Sequence, residues 1–239
     1  ADEEPERVVY EGPQRILRTV ISSMASSDEF GPLMQQEAQR RRFYEADLRA
    51  FLGDGLNWNW SIWKTYFDTF VPILDFIHAI EYVYSAAVAL EPEATQAWET
   101  YVQFVTWCWQ GKVDEVIRQL IEACQARGIS LEERLADDAP LKPLTDTIRY
   151  LRNNRSRMDY PRYRRLGLPV TSAPMESLIK QINLRVKGTE MFWDDPHGAE
   201  AILQIRAATI SDDDRLDTYL STRPGWPFTR RSSQAAIAA

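Results

Sequence analysis

The chain has 239 residues, 44% of them hydrophobic and 11% aromatic, which allows a sizeable buried core and argues for packed helices over a disordered chain. No apolar run approaches about 18 residues, so a membrane-spanning helix is excluded, and the opening "ADEEPE" lacks the basic start and apolar middle of a secretion signal, which points to the cytoplasm. The net charge of −7 argues against a polyanionic partner, but between Arg149 and Lys187 ten basic residues face only Asp159 and Glu176, a local +8 that leaves −15 for the remainder.

Along the chain, Arg7 to Gly12 ("RVVYEG") reads as a short strand closed by Gly12-Pro13. Ile16, Leu17, Val20, Ile21 and Met24 recur at helical spacing, and Leu33 to Tyr44 is rich in helix formers. A brief apolar segment, Leu48 to Leu52, stops at Gly53-Asp54-Gly55. A helix from about Asn57 to Tyr66 then leads to a second apolar run, Phe70 to Phe76. The 21-residue interval from Asp54 to Asp75 accommodates a crossover helix between parallel strands, which would bring both acids to one sheet edge, where α/β ligand crevices lie.

Helical patterns continue through Ile77 to Leu90, Ala94 to Trp109 and Val113 to Ala126, the last two forming a hairpin about Gly111. No second copy of this hairpin follows, which excludes a solenoid. Further helices are predicted over Leu141 to Met158, Met175 to Val186 and Gly198 to Ala208, with "DYPRYRRLGLPVTSAP" as a loop and "RRSSQAAIAA" as a loose tail. Cys108 and Cys124 are too far apart for a CxxC, and only His78 and His197 could join them, so reduced buried thiols are expected in place of a zinc site.

Each candidate site residue has a bland reading beside a chemical one. Asp54 between glycines suits a turn; Asp75 suits the cap of the next helix, with His78 on the same face; Glu176 suits the positive end of its helix dipole. The basic segment suits a solvated face, although Tyr150, Tyr160 and Tyr163 among its arginines suit contact with phosphates and bases. The chemical alternative is a carboxylate cluster containing Asp54 and Glu176 that binds hard divalent cations beside a basic surface, the arrangement phosphodiester chemistry requires. Spacing leaves both readings open.

The segments "FLGDGLNWNW", "ILDFIHAIEYV", "YRRLGLPVTSAPMESLIKQINLRVKGTEMFW" and "GAEAILQIRA" resemble the C-terminal part of ISKra-type insertion-sequence transposases, DDE enzymes related to the Mutator-like group. The resemblance runs from about Arg7 to Pro227 and is most specific around Glu176, Lys180, Arg185, Lys187-Gly188 and Phe192-Trp193. It implies a helix-rich α/β fold with a partial RNase H-like core. Residues 7–90 would form part of the core, 91–140 a helical insertion, 141–227 the rest of the core and 228–239 a tail. By the same resemblance Asp54 and Glu176 are catalytic metal ligands, and Asp75 and His78 form the Asp-x-x-His signature and are further site residues. In the mechanism this implies, Arg162, Arg164, Arg165, Lys180, Arg185 and Lys187 would hold the DNA backbone.

Two Mg2+ ions, or Mn2+, are the implied cofactors. DNA is the implied partner, in a homo-oligomeric complex at the nucleoid, with no membrane involved. The first catalytic Asp of the family would lie upstream, so the chain is expected to be a truncated transposase. Two other expectations compete with it. One is a non-catalytic DNA-binding or protein-interaction module that keeps the fold. The other is a hydrolase using Asp54 and Asp75 as an acid/base pair, for which no sugar-binding pattern is present.

Overall fold

In the computed structural model, residues 10–131, 135–186, 193 and 195–222 are described. They fall into two units, one drawn from residues 1–14 and 25–179, the other from 15–24 and 180–239. The first contains α1 (Ser27–Arg40), β1 (Ala50–Gly53), α2 (Asn57–Tyr66), β2 (Val71–Leu74), α3 (Phe76–Leu90), α4 (Ala94–Trp109), α5 (Val113–Ala126), α6 (Lys142–Asn154) and α7 (Tyr160–Arg165). Helix α8 (Ala173–Val186) begins in the first unit and ends in the second, which also holds α9 (Pro196–Thr209) and α10 (Arg215–Thr222).

The strand–helix–strand pattern between Leu48 and Phe76 folds as the alternation of apolar and turn residues dictates. Strands β1 and β2 pair in parallel, Ala50 opposite Val71 and Gly53 opposite Leu74, with α2 as the crossover. Trp63 of α2 donates its indole N–H to the Phe70 carbonyl at 2.9 Å, fixing the return into β2. The protein is therefore a helix-rich α/β fold with a small parallel sheet.

Two strands cannot support themselves in water, and the helices supply the burial. Ile73 and Leu74 are fully buried, packed in one cluster with Ala79 and Val83 of α3, Phe104 and Cys108 of α4, Val116 and Leu120 of α5, and Leu144 and Ile148 of α6. Helix α5 shows the sequence logic most directly: Val113, Val116, Ile117, Leu120 and Cys124 recur at helical spacing and all are buried. The α4–α5 hairpin, turned at Gly111 (φ 75°), thus belongs to the same core as the strands. Burial pushes the Cys108 thiol up to about 12 and raises that of Cys124, so both are poor nucleophiles near neutrality.

Three expectations are corrected. Ile16 to Met24 is not helical, because its backbone finds partners inside the second unit: Arg18 and Asp212 exchange bonds at 2.9 and 2.8 Å, Val20 N–H donates to the Ser211 hydroxyl at 3.0 Å, and Met24 N–H donates to Glu200 at 2.6 Å. Ile16, 97% exposed, points to no core at all. The loop predicted over Asp159 to Pro174 contains α7, started by the Asp159 carboxylate accepting from Arg162 N–H at 3.2 Å and by Pro161 in the first turn. Tyr10 to Gly12 form no strand, while residues 7–9 of that prediction, and the predicted tail, lie outside the described residues.

Replacing Phe104 with Ala removes a fully buried ring of α4 from the core cluster. The expected loss is about 3–5 kcal/mol of unfolding free energy in a urea titration; a loss below about 1 kcal/mol would place α4 outside the cooperative core.

Candidate metal centre

Because Gly53 lies opposite Leu74, the residues that follow, Asp54 and Asp75, leave the sheet at the same edge. The Asp75 N–H donates to the Gly53 carbonyl at 2.8 Å, which carries the ladder one residue past the strand. Phe76 N–H then donates to the Val170 carbonyl at 2.9 Å, bringing the chain before α8 alongside. That placement sets Ser172 against Asp75 and the first turn of α8, with Glu176, beside α3.

Asp75 is fully buried and caps α3. Its Oδ1 accepts from Ile77 N–H at 2.9 Å. Its Oδ2 accepts from His78 Nδ1 at 3.0 Å, from Ser172 N–H at 3.2 Å and from the Ser172 hydroxyl. Oδ2 thus accepts three hydrogen bonds and Oδ1 one, which leaves a second lone-pair direction of Oδ1 unused among the described residues. The cap reading of Asp75 is thus realised, but in the service of a larger arrangement.

Since a carboxylate can only accept, His78 carries its proton on Nδ1 and, when neutral, leaves Nε2 as a free donor pair for a metal. Burial disfavours its charged form, but the hydrogen bond to Asp75 and the charges of Asp75, Glu81 and Asp54 outweigh that penalty and raise its pKa above the usual 6.5. Asp75, His78 and the partly exposed Glu176 each bring a ligand atom within 4.8 Å of the other two, among the described residues the one such group of three acidic, histidine or cysteine side chains.

Asp54 stands outside this group. Its Oδ1 accepts from Leu56 N–H at 3.0 Å and from the Asn59 amide at 2.6 Å, an Asx turn that opens α2, and Oδ2 has no hydrogen-bond partner among the described residues. Glu176, expected to share a metal site with Asp54, meets Asp75 and His78, and Asp54 is near enough for its charge to act on His78. The second glycine of the Gly-Asp-Gly turn has a steric cause. Gly55 has φ 93°, and a Cβ there would meet the Tyr150 ring at 2.7 Å, while the Tyr150 hydroxyl donates to the Asp54 carbonyl at 2.8 Å.

The aromatic and basic residues read as a DNA surface turn out to be divided. Tyr160 and Tyr163 are buried, and their hydroxyls donate to the β2 carbonyls of Leu74 and Pro72 at 3.2 and 3.3 Å, so they support the strand. Arg164 is half-buried and already engaged: its guanidinium lies 4.1 Å from the Trp109 ring and donates to the Trp109 carbonyl at 2.9 Å. Arg162, Arg165 and Lys180 are exposed. Lys187 and the side chain of Arg185 lie outside the described residues.

Sequence reasoning missed Ser172 as a site residue. Its signal, a Ser two residues before Pro174 at a helix start, announces a cap and nothing about Asp75. No helix among the described residues is long and apolar enough to cross a membrane. No family model, curated protein or solved structure matches the chain.

Two measurements check this geometry. Gly55→Ala forces a left-handed backbone and a clash with Tyr150, and should cost about 1–3 kcal/mol in unfolding free energy; a neutral variant would mean that the turn is not held by Tyr150. With two histidines in the chain, NMR can follow His78 alone. Its midpoint should lie above 6.5 and drop in Asp75→Asn, which removes the opposing charge. Because folding raises this pKa, the stabilisation it brings is fully present below about pH 6.5 and is lost as pH rises through the folded value. A midpoint unmoved by Asp75→Asn would rule out the pairing.

Proposed function

We propose that this chain is the catalytic-core portion of a DDE-type DNA transposase with an RNase H-like fold, acting on DNA phosphodiesters with divalent cations. The observation that carries the reading is the convergence of Glu176 on Asp75 and His78 across 101 residues of sequence, at the carboxyl edge of a parallel strand pair. That is where α/β sheets bind ligands. The resemblance of the segments around Asp54, Asp75 and Glu176 to ISKra-type transposases supplies the reaction class.

The donor chemistry fits a divalent cation. His78 and the Glu176 carboxylate are donors in reach, Asp54 Oδ2 is a further acid beside them, and Asp75 orients His78 through Oδ2 while Oδ1, which accepts one hydrogen bond, keeps a lone pair for a cation. An imidazole among carboxylates suits Mn2+ better than Mg2+, which prefers oxygen alone. A bound cation would neutralise charge on a phosphodiester and lower the pKa of an attacking water or 3′-hydroxyl. The protein's part is to fix the imidazole tautomer through Asp75, to hold the Asp54 turn through Tyr150, and to keep the acids close enough that they require a cation. Exposed Arg162, Arg165 and Lys180 supply backbone attraction, largely indifferent to sequence and sensitive to salt.

A non-catalytic scaffold has one observation in its favour: Asp75 caps α3 through Oδ1 and accepts three hydrogen bonds on Oδ2, a structural role that needs no cation. Calorimetric titration with Mn2+ separates the two. The catalytic reading expects His78→Ala and Glu176→Gln each to weaken Mn2+ binding by roughly tenfold or more, with Asp75→Asn close behind through misorientation of His78. It also expects cation-dependent nicking of DNA that disappears in Asp54→Asn. Equal Mn2+ affinity in wild type and all of these variants would leave the scaffold reading alone.

A further inference from the structure

One helical turn after His78, α3 carries Tyr82, whose ring stacks on Tyr150 of α6 with centroids 3.9 Å apart and planes 9° from parallel. The stack is held firmly. Tyr150 is fixed by its hydroxyl bond to the Asp54 carbonyl and by its ring against Gly55. Thr147, one turn before Tyr150, donates its hydroxyl to the Tyr82 carbonyl at 2.9 Å and ties α6 to α3 at this level. The other tyrosine pairs of the first unit, Tyr84 with Tyr101 and Tyr160 with Tyr163, meet edge to face at 86° and 88°. A parallel pair is the exception, and it sits beside the acid–histidine group.

Tyr150 covers one face of Tyr82, yet 38% of Tyr82 remains exposed. The ring face turned away from Tyr150 is where a further planar ring could meet Tyr82. An immobilised aromatic with one face covered and the other open can extend its stack by one more planar ring, at little entropic cost because the platform is already ordered. The distance along α3 from Tyr82 back to His78 is one turn, about 5.4 Å, a separation that one nucleotide bridges between base and phosphate.

We infer that the open face of Tyr82 is a stacking platform for an unpaired nucleobase whose adjoining phosphate sits at His78 and Glu176, so that this site takes a single-stranded or splayed strand and not an intact duplex. The inference rests on the metal-dependent reading above. A base inside a duplex has both faces covered by its neighbours and cannot occupy Tyr82 without leaving the stack. Charge limits the alternatives. Glu81 adjoins Tyr82, no Lys or Arg occurs between Lys64 and Lys112, and Arg149, next to Tyr150, is paired with Asp146 at 3.1 Å. A phosphate reaches this acidic neighbourhood only with a divalent cation, so binding at Tyr82 depends on one.

The test uses a short single-stranded oligonucleotide carrying 2-aminopurine, and the same sequence as a duplex, titrated with the full chain in Mn2+ and in chelator. Wild type should quench the single-stranded probe, bind it more tightly than the duplex, and lose both properties in chelator. Tyr82→Phe, which keeps the ring, should behave as wild type. Tyr82→Leu should lose about tenfold in affinity, and its quenching, with Mn2+ affinity unchanged. Single-strand binding by Tyr82→Leu equal to wild type, or duplex binding as tight as single-strand binding, overturns the platform and leaves the metal reading standing. Absence of Mn2+ binding by wild type overturns both.

Discussion

The Asp75 carboxylate is the interaction on which the rest of the first unit depends. A buried carboxylate is costly unless it is fully hydrogen-bonded, and here the donors come from three places: the start of α3, the imidazole of His78, and Ser172, 97 residues further along the chain. Ser172 supplies two of the four hydrogen bonds to Asp75, so its position is tied to that carboxylate. Fixing Ser172 fixes the first turn of α8, since Met175 and Glu176 donate their N–H groups to the Ser172 carbonyl. The approach of Glu176 to His78 is thus a consequence of satisfying a buried charge, and the acid that looks most like a ligand is the one that positions the others.

A second constraint comes from the size of the sheet. With two strands, β2 has no further partner strand among the described residues, and the carbonyls of Pro72 and Leu74 accept tyrosine hydroxyls in its place. Tyr150 performs the same service for Asp54, one residue past β1. Three tyrosines from α6 and α7 therefore hold the strand ends. This is also why α7 lies where it does: Tyr160 and Tyr163, three apart on a helix, face the same strand, and Arg164 covers Trp109 on the way past.

How far this was legible in the sequence follows from which forces were local. Helices α2, α4 and α5 have the bounds that periodicity and turn residues predict, because their apolar stripes and their stops are neighbours in the chain. The parallel pairing of the two short strands was legible too, from the 21-residue crossover. The failures are tertiary. Ile16 to Met24 carries a helical period, but long-range hydrogen bonds to residues 200–215 outcompete it. Tyr160 and Tyr163 alternate with arginines as in a nucleic-acid surface, and nothing local says that they turn inward. Asp54 and Glu176 were visible as acids at element ends; which acid meets Glu176 was decided by Ser172, whose role no spacing rule reveals.

The charge asymmetry changes meaning once partners are assigned. Of the ten basic residues behind the local +8, Arg149 and Arg155 face Asp146 and Asp114, and Arg157 and Arg164 lie over Trp60 and Trp109. The exposed pairs among these contribute little to stability, but each reduces the field that a polyanion meets. Arg152, Arg162 and Arg165 are the exposed arginines of the segment without such an assignment among the described residues of the first unit. Three such charges give only a modest salt-dependent affinity compared with the six to ten phosphate contacts of a strongly electrostatic DNA binder. If the chain acts on DNA, discrimination must then come from contacts at the acid–histidine group itself, where a phosphate is repelled unless a cation accompanies it and a base finds an aromatic face only if it is unstacked. On the proposed reading, binding there would be conditional on both the ion and the state of the strand, which would confine reaction to distorted or opened DNA without requiring a large basic surface.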